Sequence, residues 1–381
     1  MAVDGVRRIG CKFLVPLLVL AAVVPLPSCQ ESDVSVAGVN GAVRALAVYN
    51  GDLIAGGDFL VAGDLAVYHV ARWDGSAWHA MGGGTDGTVN ALVVLGNELV
   101  AGGDFTHAGP SAAAHLACWD GSAWSPFAGG TDGPVTALAA EYGVFLYAAG
   151  RFATAGGVQA HGVARWFHGT WSRLGAGLDG TVSALVARNG QVVAAGDFLA
   201  RQARIDVQRI AEFQFDKWVG LNPALLTFGG TVAAVQYFGD LLVIGGRFQD
   251  VWWGPTPGYS VARKVGEGWL PAGLGVWVGD DFAPGEVNVL ANHGDALIAG
   301  GVFDRTDGNV IANNVARFDG TRWSALGAGV DGRVLALATY GGNLVAGGDF
   351  TMAGGGPAVH IALWDGSGWV PLRPTTAELL P

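Results

Sequence analysis

Apolar and polar positions along this chain repeat in one rhythm. Val89-Asn90-Ala91-Leu92-Val93-Val94 is β-branched and apolar, and Gly96-Asn97 follows as a turn signal. Leu99 to Gly103 is a second apolar run that ends in two glycines. Asp104 to Ala114 is rich in Gly, Pro, Ala and Thr, the composition of a loop. His115-Leu116-Ala117-Cys118-Trp119 forms a third run, Asp120-Gly121 a turn, and Trp124 opens a fourth. Runs this short, bounded by turn residues, predict four antiparallel strands, A to D. The Asp-Gly pair predicts a type I′ hairpin turn with positive φ at both central residues.

The unit recurs. LVAGGDF stands at residues 99–105 and again at 344–350, and variants end at Phe59, Phe105, Phe152, Phe198, Phe248, Phe303 and Phe350. The steps between copies are 46, 47, 46, 50, 55 and 47 residues. Four short strands on a period in this range predict an all-β, seven-bladed β-propeller over residues 43–372. Side-chain size agrees. Strands A and B carry Val, Ala and Gly, whereas strand C ends in a ring and strand D holds Trp78, Trp124, Trp171, Trp218, Trp269, Trp323 and Trp369. Blades crowd at the axis and splay at the rim, so close packing asks for small residues inside and bulky ones outside. On this reading the Gly pair leaves strand B where a Cβ has no room and φ is positive, the Asp of Asp58, Asp104, Asp197 and Asp349 bonds turn amides, and the Phe fills the gap between blades. No strand is left over to lock the ring, unless Asp33-Val34-Ser35-Val36 adds one beside blade seven.

Composition narrows the class. Apolar residues make up 51% and charged residues 14% of the 381, which excludes a disordered chain. The first 28 residues differ from the rest. Arg7, Arg8 and Lys12 precede FLVPLLVLAAVVPLP at 13–27, too short and too Pro-broken to span a membrane but suited to an export signal. Leu26-Pro27-Ser28-Cys29 resembles the lipobox of bacterial lipoproteins, with Pro27 departing from the pattern. That resemblance implies lipid attachment at Cys29, and Gln30 after it favours the outer membrane. Residues 29–42 are then a short tether and 373–381 a tail. Cys118 is left without a partner cysteine, so no disulfide framework exists. Beyond residue 28 there remain 18 basic and 31 acidic residues, a charge that disfavours nucleic acid as a partner. The expected protein is a monomer that meets the membrane only through its anchor.

Gly-Gly followed by Trp, as in Gly56-Gly57 to Trp78 and Gly347-Gly348 to Trp369, resembles the kelch pattern. The fuller unit, VxAL–LVAGGDF–xARWDG–W, is similar to repeats of the fungal cortical cell-polarity marker and of secreted bacterial propellers. The resemblance implies a fold and no activity. Asp74-Gly75-Ser76-Ala77-Trp78 departs from the sialidase Asp-box by one residue, and the Tyr–Cys copper site of galactose oxidase has no counterpart. No cofactor is expected. His69, His115 and His360 share one slot at the start of strand C, a blade apart, which suits local hydrogen bonding better than a metal. Asp86, Asp132, Asp179 and Asp331 before strand A read as turn residues, with a weak Ca²⁺ ring as the alternative.

Function is sought where the repeat breaks. Unit five has a long B–C loop with Trp252, Trp253 and Tyr259, and a long D–A loop with Trp277, Asp280, Asp281 and Phe282. In an up-and-down blade both connections leave the same face. Exposed rings beside carboxylates suit a sugar or a partner's apolar side chain, so Trp252, Trp253, Tyr259, Trp277, Asp280 and Asp281 are the expected ligand patch. The expected function is a non-enzymatic envelope scaffold for glycan or protein. The alternative is a polysaccharide hydrolase or lyase using Asp280, Asp281 and Glu286.

Overall fold

The structure is a computed structural model that describes residues 38–200, 208–221, 230–249 and 258–372. They lie in one compact unit, Ser35–Pro381. Cys29, the segment Asp33 to Val36, Trp252, Trp253 and residues 373–381 lie outside the described residues.

Seven four-stranded antiparallel sheets follow each other along the chain, each hydrogen-bonded in the order A-B-C-D. Blade one comprises Val43–Tyr49, Asp52–Gly57, Val70–Trp73 and Trp78–Ala80. The other A strands are Val89–Leu95, Val135–Glu141, Leu178–Arg188, Thr231–Phe238, Glu286–His293 and Arg333–Tyr340. The ring closes: Val43, Leu53, Trp73 and Trp78 of blade one share a core with Ala336, Val345 and Ile361 of blade seven. Closure is by packing between neighbouring blades, as elsewhere in the ring, and each sheet keeps its own four strands.

The Gly pair is explained by space alone. None of Gly56, Gly57, Gly102, Gly103, Gly347 and Gly348 has positive φ, which corrects that part of the sequence reading. The two glycines meet different neighbours. A Cβ on the first would press on strand A of the next blade, at 2.6 Å from Val89 Cγ1 for Gly56 and 2.6 Å from Val135 Cγ1 for Gly102. A Cβ on the second would overlap a backbone carbonyl where its own blade's strand A begins: Ala42 for Gly57, Thr88 for Gly103, Arg333 for Gly348. Opposite that glycine every A strand carries a β-bulge, at Val43/Ala45, Val89/Ala91, Val135/Ala137, Val182/Ala184, Val232/Ala234, Val287/Val289 and Val334/Ala336. Blades three and four have Ala149 and Ala195 in the first position and keep glycine, Gly150 and Gly196, in the second. The Asp after the pair does not bond turn amides in blade one. Asp58 accepts from Arg44 and from Thr88 Oγ1 instead.

Positive φ is needed one step later, at the entry to strand C. His69, His115, Gly162, Arg209, Ser260, Asn314 and His360 all take φ between 61° and 83°. The residue returns two backbone bonds: His115 N donates to Phe105 O, and Gly103 N donates to His115 O. Asn and His tolerate this region better than most side chains. The imidazole Nδ1 of His69, His115 and His360 lies 3.2 Å from the carbonyl of Gly57, Gly103 and Gly348, a local bond within each blade.

The C–D turns differ from the type I′ expectation. Gly75, Gly121, Gly320 and Gly366 have positive φ, but the preceding Asp does not. Instead Asp74, Asp120, Asp319 and Asp365 each accept the N–H groups two and three residues on through Oδ1, together with a Ser or Thr hydroxyl. The carboxylate replaces the second left-handed residue as the device that turns the chain. Those donors hold all four carboxyls below the usual range, led by the Ser76, Thr321 and Ser367 hydroxyls and, at Asp120, by the Ala123 N–H.

At the rim the strand-D tryptophans are buried. In five blades the ring packs on the ring that ends strand C, at 5.4 Å for Trp73–Trp78 and for Trp119–Trp124. Six indoles also bridge to the preceding blade: Trp124 Nε1 donates to Met81 O at 2.8 Å, and Trp171, Trp218, Trp269, Trp323 and Trp369 do the same to Ala128, Leu174, Leu221, Ala272 and Leu326. Trp78, at the junction of blades seven and one, has no such partner among the described residues.

Trp124→Ala is expected to cost about 3–5 kcal/mol in denaturant melts, through the cavity it leaves. Trp124→Phe should cost about 1 kcal/mol more than Trp78→Phe, because only Trp124 loses an interblade hydrogen bond. For the four turn carboxyls the folded pKa lies below the unfolded value. Their contribution is therefore complete above the unfolded carboxylate range, about pH 5, and is lost progressively as pH falls below it, so the denaturation midpoint should drop with acidification. Asp319→Ala should make the drop shallower.

Candidate functional site

The D–A loop of unit five is not an open loop. Its strand Val276–Val278 pairs with Ala283–Pro284 on one side and with Arg305–Thr306 on the other, and Arg305–Thr306 in turn pairs with Val310–Ile311. This accessory sheet enlarges a link found elsewhere, where Thr85, Thr131 and Val330 bridge to Ala108, Ala155 and Ala353 of the next B–C hairpin. Trp277 is 1% exposed and Tyr259 7%. Their rings lie 5.9 Å apart, with Phe282 at 5.2 Å from Trp277. The expectation that these two offer ring faces to a ligand is therefore corrected: strand pairing sandwiches Trp277, and Tyr259 and Phe282 close the packing. Asp280 and Asp281 are exposed, and Asp280 Oδ1 meets Arg305 Nη2 at 3.1 Å. Glu286 sits elsewhere, on the wall of the axial cavity, which neither Asp280 nor Asp281 lines.

That cavity is the better candidate. About 570 Å³ opens at the axis on the face that carries the B–C and D–A connections. The bulges build it. A bulge leaves an extra residue and turns its side chain away from the ladder. The seven bulged residues, Arg44, Asn90, Thr136, Ser183, Ala233, Asn288 and Leu335, all line the cavity, one from each blade. Further in, a narrower space of about 230 Å³ is walled by Leu46, Leu92, Leu138, Leu185, Val235, Leu290 and Leu337 with small residues between them. A mostly polar ring thus stands over an apolar collar.

Three ring members also join neighbouring blades. Asn90 Nδ2 donates to Val135 O at 3.2 Å, Thr136 Oγ1 to Val182 O at 2.5 Å and Asn288 Nδ2 to Val334 O at 3.5 Å. Arg44 Nε meets both oxygens of Asp58 at 2.9 Å, and Nη2 adds a contact at 2.7 Å. This hydrogen bonding raises the Arg44 pKa against the opposing effect of burial, and the fields of Asp104 and Asp349 add to it. Burial works to raise Asp58, yet the bonds from Arg44 and Thr88 outweigh it and hold the carboxyl low. Asp104, Arg151, Asp197 and Glu286 complete a rim of both signs, and no aromatic side chain lines the cavity among the described residues.

The residues before strand A have structural duties. Burial tends to raise Asp86, Asp132 and Asp331, but N–H groups of the following B–C loop outweigh it, His107 and Thr106 for Asp86, Thr154 and Ala153 for Asp132, Met352 and Thr351 for Asp331. Asn40 plays the same part in blade one toward Leu60 and Val61. Asp179 lies within strand A of blade four, whose pairing with strand B runs on past the bulge. Asp307 is held above the usual carboxylate range by burial, and it accepts from Leu274 N and Trp323 N, a clasp beneath the accessory sheet.

Sequence reasoning passed over the axial ring. Its signal is the second position of the VxAL string, which reads Arg, Asn, Thr, Ser, Ala, Asn and Leu between nearly constant neighbours.

No protein-family model matches the sequence, and no curated protein is significantly similar to it. Solved structures are similar in fold. The extracellular domain of BT4673 from B. thetaiotaomicron superposes over 85% of this chain with a TM-score of 0.56 at 12% identity. The WD40 β-propeller domain of Doa1 superposes over 82% of this chain and 91% of its own, with a TM-score of 0.52 at 14% identity. This chain spans 38% of the length of the BT4673 chain. At such identities the likeness is one of fold, and the fold is a β-propeller. Among the described residues no helix is long and apolar enough to cross a membrane.

Lengthening the ring into the cavity should leave the fold intact. Ser183 is exposed and makes no blade-to-blade bond among the described residues, so Ser183→Trp is expected to shift the melting temperature by no more than about 2 °C, whereas Thr136→Val, which loses its bond to Val182 O, should cost about 1 kcal/mol.

Proposed function

We propose that this propeller is a non-enzymatic recognition module of the cell envelope, and that it binds a polar segment of a partner protein at the axial mouth. One observation carries this reading: each blade spends a bulge on placing one variable side chain there. Uniform structure would be served as well by seven identical residues. Guanidinium and carboxylate groups on one rim suit a peptide, whose backbone and side chains offer both donors and acceptors. A sugar ring would ask for an aromatic face, which the described walls of the cavity lack. The leucine collar then takes an apolar side chain at the tip of the bound segment. Export supports the location. The leader up to Ser28 and the lipobox-like Cys29 point outward, and BT4673, one structural neighbour, is an extracellular domain. With Cys29 acylated, about a dozen residues reach blade one, a span of at most ~40 Å, so the propeller stays near the bilayer.

Two measurements test this. A photo-crosslinking phenylalanine analogue in place of Ser183 should give a protein-sized adduct in intact cells, and the same analogue at Asp281 should not. Binding of purified protein to a glycan array, unchanged by Ser183→Trp, would contradict the reading. Mass spectrometry of the mature N-terminus should find acylated Cys29, and an unmodified end elsewhere would remove the anchor.

A further inference from the structure

Six junctions of the ring share the indole bridge, and the junction of blades seven and one lacks it among the described residues. The same junction holds a groove of about 680 Å³, on the side of the A–B and C–D turns. Its walls are Trp73 and the glycine turns of blade one at Gly51 and Gly75, against Tyr340, Leu363, Val370 and Pro371 of blade seven.

Comparison of the two blades shows how the described residues form it. In blade one the strand-C position carries Arg72, whose Nη1 meets Asp52 Oδ2 at 2.6 Å, and the strand-D position carries His79, whose Nε2 meets Asp74 Oδ2 at 2.6 Å. Blade seven has Leu363, Asn343 and Val370 at the positions of Arg72, Asp52 and His79. Both polar arms are missing, and short apolar side chains stand in their place. The tyrosines differ in the same way. Tyr49 of blade one is buried and donates to Asn97 O of blade two at 2.8 Å. Tyr340, its counterpart, is half-buried and its hydroxyl has no hydrogen-bond partner among the described residues. Burial raises the Tyr340 pKa, and the carboxylates of Asp52 and Asp74 raise it further; Arg72 balances Asp52, so Asp74 supplies the net negative charge near the rim.

We propose that this groove binds the side chain of a lysine on a partner protein. The methylene stem lies along Leu363, Val370 and Pro371, and the ammonium donates to Tyr340 Oη near the Asp74 carboxylate. A single hydroxyl acceptor suits a compact ammonium better than a planar guanidinium, which needs paired acceptors. Burying the stem while charging the rim matches how lysine divides between apolar stem and polar head. The proposal does not depend on the axial reading, because the two sites share no residue.

The test titrates Nα-acetyl-lysine methylamide into the full chain labelled with ¹⁵N-tryptophan. The Trp73 indole resonance, assigned through Trp73→Phe, should shift and saturate. The isosteric norleucine amide and the Nε-acetylated lysine amide should bind at least about tenfold more weakly. The double change Leu363→Arg with Asn343→Asp rebuilds the blade-one arm in blade seven. It should keep the circular dichroism spectrum and melting point and abolish the shift. Equal binding by the norleucine amide, an unchanged shift in the double variant, or no shift in the parent protein would each overturn the proposal.

Discussion

The structure depends on one close approach. In every blade the second residue of the pair that ends strand B lies against a carbonyl where strand A begins, where an added Cβ would overlap it, and glycine holds that place in all seven. The approach and the bulge in strand A are two sides of one constraint. The bulge bends the start of strand A so that the carbonyl two residues before the extra one (Ala42 before Arg44, Thr88 before Asn90) approaches strand B, and only a residue without a Cβ leaves room for it. The first residue of the pair is under a softer constraint, since it meets a valine side chain of the next blade. That position accepts alanine in blades three and four.

The same constraint produces the candidate site. Because strand A bulges next to the axis, each blade turns one side chain toward the channel without disturbing the pairs on either side. The ring can therefore vary from Arg44 to Leu335 while the apolar collar beneath it stays nearly uniform. The variable position and the packed positions are adjacent residues of one strand, and the bulge separates them. Three of the ring's polar groups also donate to the next blade, so part of the ring serves both purposes.

Period, strand order and rim packing were legible in the sequence. Seven tryptophans at a near-constant spacing and glycine pairs at the end of strand B leave little choice of architecture. Two kinds of feature were not legible. Backbone conformation was misplaced by one step: glycine suggested positive φ at Gly56-Gly57, while that conformation falls on His69 and its counterparts, which look like ordinary strand residues. The candidate site was placed elsewhere for a related reason. Long aromatic loops in unit five draw the eye, but Trp277 is paired into an accessory sheet with the next blade, a contact that a linear reading of one unit does not contain. Arg44, Asn90 and Ser183 look like the outward half of an alternating strand until the bulge is known.

The central claim is that the second glycine is required by contact with a backbone that cannot move aside. It is tested most directly by equilibrium denaturation of Gly103→Ala beside Gly368→Ala. Gly103 faces the Thr88 carbonyl, whereas an added Cβ at Gly368 meets nothing within 4 Å and its φ is not in the left-handed region. Gly103→Ala should lose at least about 2–3 kcal/mol, the upper range for forcing atoms into a packed site, and Gly368→Ala should lie within about 0.5 kcal/mol of the parent protein. Equal and small effects at both positions would contradict the account.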